Sequence, residues 1–359
     1  MKTGIIGLPQ VGKTSLFKIL TKAKTEGFGH SREAHIGIAR VPDARLDKLA
    51  ALAGTRKTVY ATVEYADLAA IGEDALKETS FLTSLRNVDA IIHVLRAFED
   101  DTIPHVGPID PLRDIGNVEI ELIVSDLGQI EKRLERVARD MKKQKTAELE
   151  REHALLLRCK AQTEAEKPLR EMELTPEEKK LVRGFMFLSQ KPILYVLNIS
   201  ESATLGADVE AAVAKYGLTE AASRPNSGAT AICGKVEAEL AEMEDDEAAE
   251  FLEGYGLTES GLVRLIRKSY ELLGLVSFFT IGEPETRAWT IPANCRAQEA
   301  AGAIHSDLEK YFIRAETIHW DTLLAAGSEA AARAQGTLRL EGKDYPVKDG
   351  DVLNIRHSG

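Results

Sequence analysis

Residues 7–15 read GLPQVGKTS, and the pattern G-x-x-x-x-G-K-[ST] is complete from Gly7 to Thr14. The apolar run Gly4-Ile5-Ile6 stands directly before it and the helix-like Leu16-Phe17-Lys18-Ile19-Leu20 directly after. The motif therefore sits where a strand turns into a helix, the context that a phosphate-binding loop needs. Gly7 and Gly12 free the backbone so that successive N–H groups and the helix N-terminus can wrap the α- and β-phosphates of a nucleotide. Pro9, Gln10, Val11 and Ser15 belong to the same wrap. Lys13 is the expected point charge on the β/γ oxygens, and the Thr14 hydroxyl the expected Mg²⁺ ligand.

Outward from this loop, strand-like runs at Gly4–Ile6, Ile36–Val41, Val59–Ala66 and Ala90–Leu95, with a helical segment around Leu82, predict an α/β domain. From about Glu119 to Gln190 apolar residues recur at three- and four-residue spacing among mixed charges, which predicts a long antiparallel helical arm. Pro168 interrupts it, and Leu-Thr-Pro-Glu-Glu at 174–178 is the start signal of a capped helix leading back. The α/β pattern resumes with Pro192–Asn198 and Ala229–Cys233, so the arm is an insertion. Helices over about Glu237–Glu253 and Glu259–Leu273 close this domain. After Gly274 a small module follows, with strands near Ser277–Ile281, Arg287–Ile291 and Val352–Arg356 and a helix near Gln298–Leu308. The expected domains are a discontinuous nucleotide-binding domain (1–116 and 191–274), the helical insertion (117–190) and the C-terminal module (275–359).

Two further motifs bear on chemistry. Asp67 closes the strand Val59–Ala66, which puts a carboxylate at a strand C-terminus beside the loop, where it can hold the Mg²⁺ water shell. Asn198-Ile199-Ser200-Glu201 ends the second apolar strand, where GTPases of this architecture carry N-K-x-D, the aspartate pairing with guanine N1–H and the exocyclic amine. Here the acid is one methylene longer and Ile199 replaces the lysine that flanks the base, so the guanine code is broken. Cys233-Gly234-Lys235 takes the place of the S-A-K loop along the base's other edge.

With these residues in view, the chain resembles the YchF/Obg-like ATPase family over nearly its whole length. The resemblance rests on GLPQVGKTSLF (7–17), VPDARLDKLA (41–50), the N-x-x-E motif at Asn198 and VEAELAEM (236–243). Its most specific part is C-terminal: LLGLVSFFTIGEPETRAWTI (272–291), AAGAIHSDLEKYFIRAE (300–316) and RLEGKDYPVKDGDV (339–352). It implies a P-loop NTPase domain, an inserted antiparallel coiled coil and a β-grasp (TGS) domain. It also implies ATP preferred over GTP, bound Mg²⁺, slow hydrolysis, and association with the ribosome, a ribosome-associated protein or RNA.

The chain departs from that family at its switches. Asp67-Leu68-Ala69-Ala70-Ile71-Gly72 is shorter than the family's glycine-rich second switch, and Ala70 replaces a glycine, keeping the N–H but losing flexibility. Counting back from VPDARLD, Ser31 falls on the family's metal-binding threonine. Ile71 stands where other NTPases orient water with a polar side chain, so another group must hold the water. His105, on the loop Glu99–Asp110, matches a histidine of the family and is the candidate.

Composition sets the outer limits. The 359 residues carry a formal net charge of −11, which argues against a non-specific grip on nucleic acid, so DNA is not an expected partner and RNA would need a local basic patch. No apolar run approaches the roughly 20 residues of a membrane span, and Met1-Lys2 leads straight into the first strand, leaving no expected signal peptide. Three scattered cysteines, Cys159, Cys233 and Cys295, suit reduced thiols in a cytoplasmic protein.

Overall fold

The strand Ala90–Ala97 is buried at every position, which requires the middle of a parallel sheet with both faces covered. The computed structural model describes residues 1–22, 35–71, 78–105, 107–204 and 209–358. Ser31 and Gly72 lie outside the described residues.

In chain order the described elements begin β1 (Lys2–Ile6), α1 (Lys13–Thr21), β2 (His35–Arg40), α2 (Ala44–Ala53), β3 (Thr58–Val59), β4 (Thr62–Asp67), α3 (Thr79–Arg86) and β5 (Ala90–Ala97). The long pair α4 (Pro111–Lys143) and α5 (Ala147–Glu164) follows, then α6 (Pro176–Arg183), β6 (Ile193–Ile199), α7 (Val209–Lys215), α8 (Thr219–Ser223) and β7 (Ser227–Ile232). Next come α9 (Gly234–Leu240), α10 (Asp245–Gly254), α11 (Gly261–Leu272), β8 (Leu275–Thr280), β9 (Thr286–Pro292), α12 (Ala297–Ile304) and α13 (Ser306–Lys310). The chain closes with β10 (Phe312–His319), α14 (Trp320–Ala326), α15 (Glu329–Ala334), β11 (Arg339–Glu341) and β12 (Asp351–His357).

One compact unit comprises Met1–Gly37 and Glu64–Lys268. Its sheet has the order β2-β4-β1-β5-β6-β7; β1 runs parallel to β4 and β5, and β5, β6 and β7 run parallel in turn. The C-terminal ends of β1, β4, β6 and β7 therefore meet at one edge, where ligands bind in open α/β sheets. This is a P-loop NTPase fold carrying a helical arm.

The arm starts earlier than its sequence boundary. Asp110 caps α4, its side chain accepting from Arg113 N at 3.1 Å, with Pro111 in the first turn. Ile115, Val118 and Leu122 of α4 pack into the core beneath the sheet, whereas Ile130 and Val137 join Leu155, Leu156 and Cys159 in the arm's own core. One helix thus serves both cores, which is why composition could not mark the joint. The predicted restart at Thr175 is present as a full capping box with Glu178. Asp126, fully buried, accepts from Leu188 N (2.9 Å), Ser189 N (2.7 Å) and Ser189 Oγ (2.8 Å), fastening the returning chain.

The second unit comprises Ile38–Val63 and Ser269–Gly359. Its sheet has the order β11-β10-β12-β8-β9-β3; β8 and β9 form an antiparallel hairpin, and β8 runs parallel to β12. Helix α12 covers it through Ala297 and Ala300, with Phe278, Ile291, Ala315 and Leu353 in the core. This is the β-grasp arrangement. Phe278 and Phe279 are fully buried here, while Tyr311 stays exposed.

Three local expectations change. The strand expected at Val59–Ala66 is divided: β3 pairs with β9 through Thr58↔Thr286 and Val59↔Arg287, and only β4 pairs with β1. Residues 38–63 thereby group with the C-terminal module rather than with the 1–116 segment; Arg45 bonds Asp349, and Thr55 Oγ1 lies 2.6 Å from Thr286 Oγ1. The helix expected over 237–253 is two helices, α9 and α10, separated at the acidic run where Glu244 becomes an N-cap. The strands β10 and β11 carry no turn-bounded alternation and were not foreseen.

Candidate nucleotide site

The loop after β1 takes the backbone that its glycines permit. Gly7 has φ +153° and Gly12 φ +97°. A Cβ on Gly7 would approach the Val94 carbonyl oxygen to 2.5 Å, and one on Gly12 would approach Asn198 Nδ2 to 2.6 Å. No other residue fits either position. Gln10, between them, has φ 60°. Gly12 caps α1 without any side-chain hydrogen bond, so the N-cap itself offers the first-turn N–H groups, among them those of Lys13, Thr14 and Ser15, no side-chain acceptor. Pro9, Gln10, Thr14 and Ser15 are exposed, while Val11 is buried and contributes backbone only.

Lys13 is 6% exposed. Among the described residues its ammonium has one weak hydrogen-bond partner, the Leu8 carbonyl oxygen at 3.4 Å. Burial pushes its pKa below the ordinary lysine value, and the nearby Asp67 carboxylate opposes that shift. Asp67 ends β4 and is also buried. Burial pushes its carboxyl above the usual range, against the bond from Thr14 and the charges of Lys13, His35 and Lys18. Asp67 Oδ1 has no hydrogen-bond partner among the described residues. A buried ammonium facing an under-satisfied carboxylate, beside an uncapped helix start, is incomplete by itself. A triphosphate with its divalent cation would supply what is missing: anionic oxygens for Lys13 and the helix, and a cation for Thr14 and Asp67. The donor set fits Mg²⁺ and a nucleotide.

Beyond Asp67, Leu68 N donates to Ile5 O (3.2 Å) and Ile71 N to Gly7 O (3.0 Å), laying residues 68–71 along the loop. Ile71 is buried in the core, so it contributes packing and no water contact.

Asn198 is the joint of the site's other end. Its Nδ2 donates to Val11 O at 3.0 Å, and its Oδ1 accepts from Gly234 N at 2.9 Å. One buried amide ties the phosphate loop to the turn after β7, where Cys233, itself buried, caps α9.

Residues 275–358 match the family model YchF-GTPase_C, described as a protein of unknown function (DUF933). A Bacillus subtilis (strain 168) protein named "Ribosome-binding ATPase YchF" is 45% identical over 364 residues, spanning 99% of both chains. An Escherichia coli O157:H7 protein of the same name is 41% identical over 365 residues, spanning 99% of this chain and 98% of its own. The chain belongs to the YchF family. The solved structure of the Schizosaccharomyces pombe YchF GTPase superposes with a TM-score of 0.86 at 29% identity, covering 99% of this chain and 97% of that one.

In this YchF-family chain the residues after Asn198 differ from the sequence reading at one point. Ile199 is 5% exposed and packed in the core. Its side chain leaves the base position, so it does not stand in for a flanking lysine. Glu201 is half-buried at the next turn, and its carboxylate is held on both oxygens: Lys235 Nζ donates to Oε2 at 2.5 Å and Tyr255 OH to Oε1 at 2.8 Å. These bonds keep its pKa below the usual carboxylate range. No local motif marks Tyr255, which reaches Glu201 only because α10 ends beside it; Phe251 tilts against its ring at 5.0 Å.

His105 lies on the loop after β5, and its Nδ1 is 2.9 Å from Gly107 O. That carbonyl can only accept, so Nδ1 is the donor in this bond. The structure brings His105 to its own loop and to no residue of the phosphate loop. What organises that loop is Arg96, 2% exposed, whose guanidinium donates to Phe98 O, Ile103 O, Asp100 O and Pro104 O (3.1–3.5 Å) and stacks on Phe98. A charged residue in a strand buried end to end was the available signal for it. His93, in the same strand, is completely buried with neither ring nitrogen bonded among the described residues, and burial lowers its pKa from 6.5 to about 3.

Among the described residues no helix is long and apolar enough to cross a membrane, and no cluster of three or more His, Cys, Asp or Glu is placed to hold a metal ion. The metal expected here would be bound with phosphate oxygens, which such a cluster does not describe.

Proposed function

We propose that this chain is a cytoplasmic ATPase of low intrinsic rate that binds ATP with Mg²⁺ at the phosphate loop and uses its nucleotide state to control association with the ribosome. The observation that carries this reading is the buried Lys13 ammonium set against the unpartnered Asp67 oxygen at the uncapped start of α1. The names of its relatives in Bacillus subtilis and Escherichia coli support the ATP and ribosome parts. The alternatives are a nucleotide-binding scaffold that does not hydrolyse its ligand, and a GTPase.

Bound Mg²⁺ supplies positive charge to the β- and γ-phosphate oxygens. Thr14 Oγ1 would hold it directly and Asp67 through water, with Ser31 of the first switch as the proposed third oxygen. Lys13 gives a second positive charge, and the N–H groups from Gly12 to Ser15 give fixed dipoles that need no reorganisation. The backbone of Pro9, Gln10 and Val11 shapes the same cradle. At the base, Asn198 and the Cys233 backbone border the purine. Glu201, tied to Lys235 and Tyr255, has no oxygen left without a donor, which weakens the guanine-pairing role of an acid at this position. His105 orients the attacking water through Nε2 when its loop closes.

Titration of the purified chain with ATP and GTP, followed by single-turnover hydrolysis with and without ribosomes, tests the reading. The expected result is ATP bound several-fold more tightly, slow hydrolysis, and His105→Ala reducing the hydrolytic rate without changing ATP affinity. Equal or tighter GTP binding removes the base assignment; absence of sedimentation with ribosomes in every nucleotide state removes the translation link.

A further inference from the structure

The nucleotide site lies at the C-terminal edge of the parallel sheet. At the opposite edge, where β5 and β6 begin, two grooves of about 670 and 500 Å³ adjoin, with Arg86 in the wall of both. The first is bordered by Lys132, Arg133 and Arg136 of α4 and by no carboxylate; the second by Lys179, Arg183 and Lys191, with Asp89 as its one acid. For a chain of net charge −11, this is a local reversal of sign.

The cations divide into two groups. Arg86 is committed to Met186 O, Ser125 Oγ and the buried Asp126, Arg133 to Glu152, and Lys191 to the carbonyls of Arg86 and Val88. These build the walls. Lys132, Arg136, Lys179 and Arg183 are exposed and make no ion pair among the described residues. They form two like-charged i,i+4 pairs, one on α4 and one on α6, an arrangement that costs about 0.2–0.5 kcal/mol per pair in a free helix. Each pair spans about 6 Å of rigid helix. Unneutralised cations held apart on two helices suit a ligand whose negative charge is also spread at intervals, and Arg side chains fit phosphate oxygens in particular.

We propose that this basic edge is an RNA-backbone contact surface, taking the phosphodiesters of a duplex segment without reading sequence. The two aromatic rings in its lining, Phe185 and the buried Phe187, are stacked on each other at 5.2 Å and offer no platform for a base, which favours backbone contact over single-strand recognition. The inference rests on the ribosome reading for its physiological target, and binding to bare RNA is measured separately so that the two can fail separately.

The test uses the full chain and the variant K132A/R136A/K179A/R183A, with a labelled duplex RNA of about 20 base pairs, from 50 to 200 mM KCl. Each phosphate contact contributes about 0.9 to the slope of log K against log salt. The variant should lose about three to four units of that slope and, at 50 mM, about a hundredfold or more in affinity. Its ATP affinity and thermal unfolding should match the unaltered chain, and K132R/K179R should keep RNA binding. Equal affinity and slope for both proteins overturns the proposal, as does failure of the unaltered chain to bind duplex, or displacement by polyglutamate with no displacement by unlabelled RNA. If duplex binding and its loss are seen while neither protein sediments with ribosomes, this surface stands and the ribosomal reading falls.

Discussion

At the phosphate end of the site, nine consecutive residues, 7–15, carry the loop, its lysine and its hydroxyl. At the proposed base end, Asn198, Glu201, Gly234, Lys235 and Tyr255 come from four places between β6 and the end of α10. The first end depends on φ angles and the start of one helix, which neighbouring residues fix. The second depends on three side-chain hydrogen bonds and an ion pair between separate elements. A substitution in the first should abolish binding and spare the fold; one in the second should disturb stability or base preference and spare phosphate affinity.

The largest expected effect is at the contiguous end. Lys13→Ala should weaken triphosphate binding by about a hundredfold or more, equivalent to about 2.7 kcal/mol, with unchanged circular dichroism. Among the described residues the Lys13 ammonium makes only the weak bond to Leu8 O at 3.4 Å, so its removal takes little from folding. Retained affinity in a folded variant would break the contrast between the two ends.

Asn198→Ala belongs to the dispersed end and should behave oppositely. It leaves the Val11 carbonyl and the Gly234 N–H without their partner in a buried site, at about 1–3 kcal/mol for such an orphaned group. Chemical denaturation should show a loss of about 2 kcal/mol, with ATP affinity reduced less than in Lys13→Ala. A larger loss of affinity than of stability would mean that Asn198 acts chiefly on the ligand.

His93 sharpens the comparison through pH. Buried and neutral when folded, it takes up a proton only on unfolding, from pH 6.5 down to about 3. The unfolded chain therefore binds one more proton in that window, and stability should fall by about 1.4 kcal/mol per pH unit as pH drops through it. His93→Leu should remove that contribution. Urea midpoints at pH 7, 6 and 5 measure it, and parallel curves for the two proteins would refute the assignment.

The smallest effects lie at the Glu201 carboxylate. Tyr255→Phe removes one bond to Glu201 and should change the ATP-to-GTP affinity ratio by less than about tenfold, toward GTP. Glu201→Asp should move it the same way. Adding Ile199→Lys is not a useful companion, because Ile199 is in the core and a lysine there would bury a charge. An unchanged ratio in both single variants would place base choice elsewhere.

Much of the fold was legible because it is periodic. The strand-loop-helix at Gly7, the buried runs of β5 and β6, the capping box at Thr175 and the hairpin of β8 and β9 each announce themselves within about ten residues. What was misread had no local sign. The separation of β3 from β4 is made by pairing with β9, residues 58–59 against 286–287, and nothing between Val59 and Ala66 records that partner. Because of it, residues 38–63 cluster with the C-terminal module, and a truncation near residue 276 would strip α2 and β3 of their neighbours rather than remove a separate domain. Helix α4 hid its start for a related reason: its first turns are amphipathic toward the sheet and its later turns toward α5, and a single 3.6-residue period serves both.

The amino-acid sequence by itself determined the phosphate loop, since conformational freedom at Gly7 and Gly12 and charge at Lys13 are properties of single residues. It also determined the order of the layers, through hydrophobic spacing. Only the tertiary structure decided that Ile199 faces the core, that Tyr255 and Lys235 occupy the Glu201 carboxylate, that Arg96 holds the His105 loop by its carbonyls, and that unpaired cations gather at the far edge of the sheet. Each of these is a contact between residues remote in the chain, and its energy exists only once the backbone that carries it has packed.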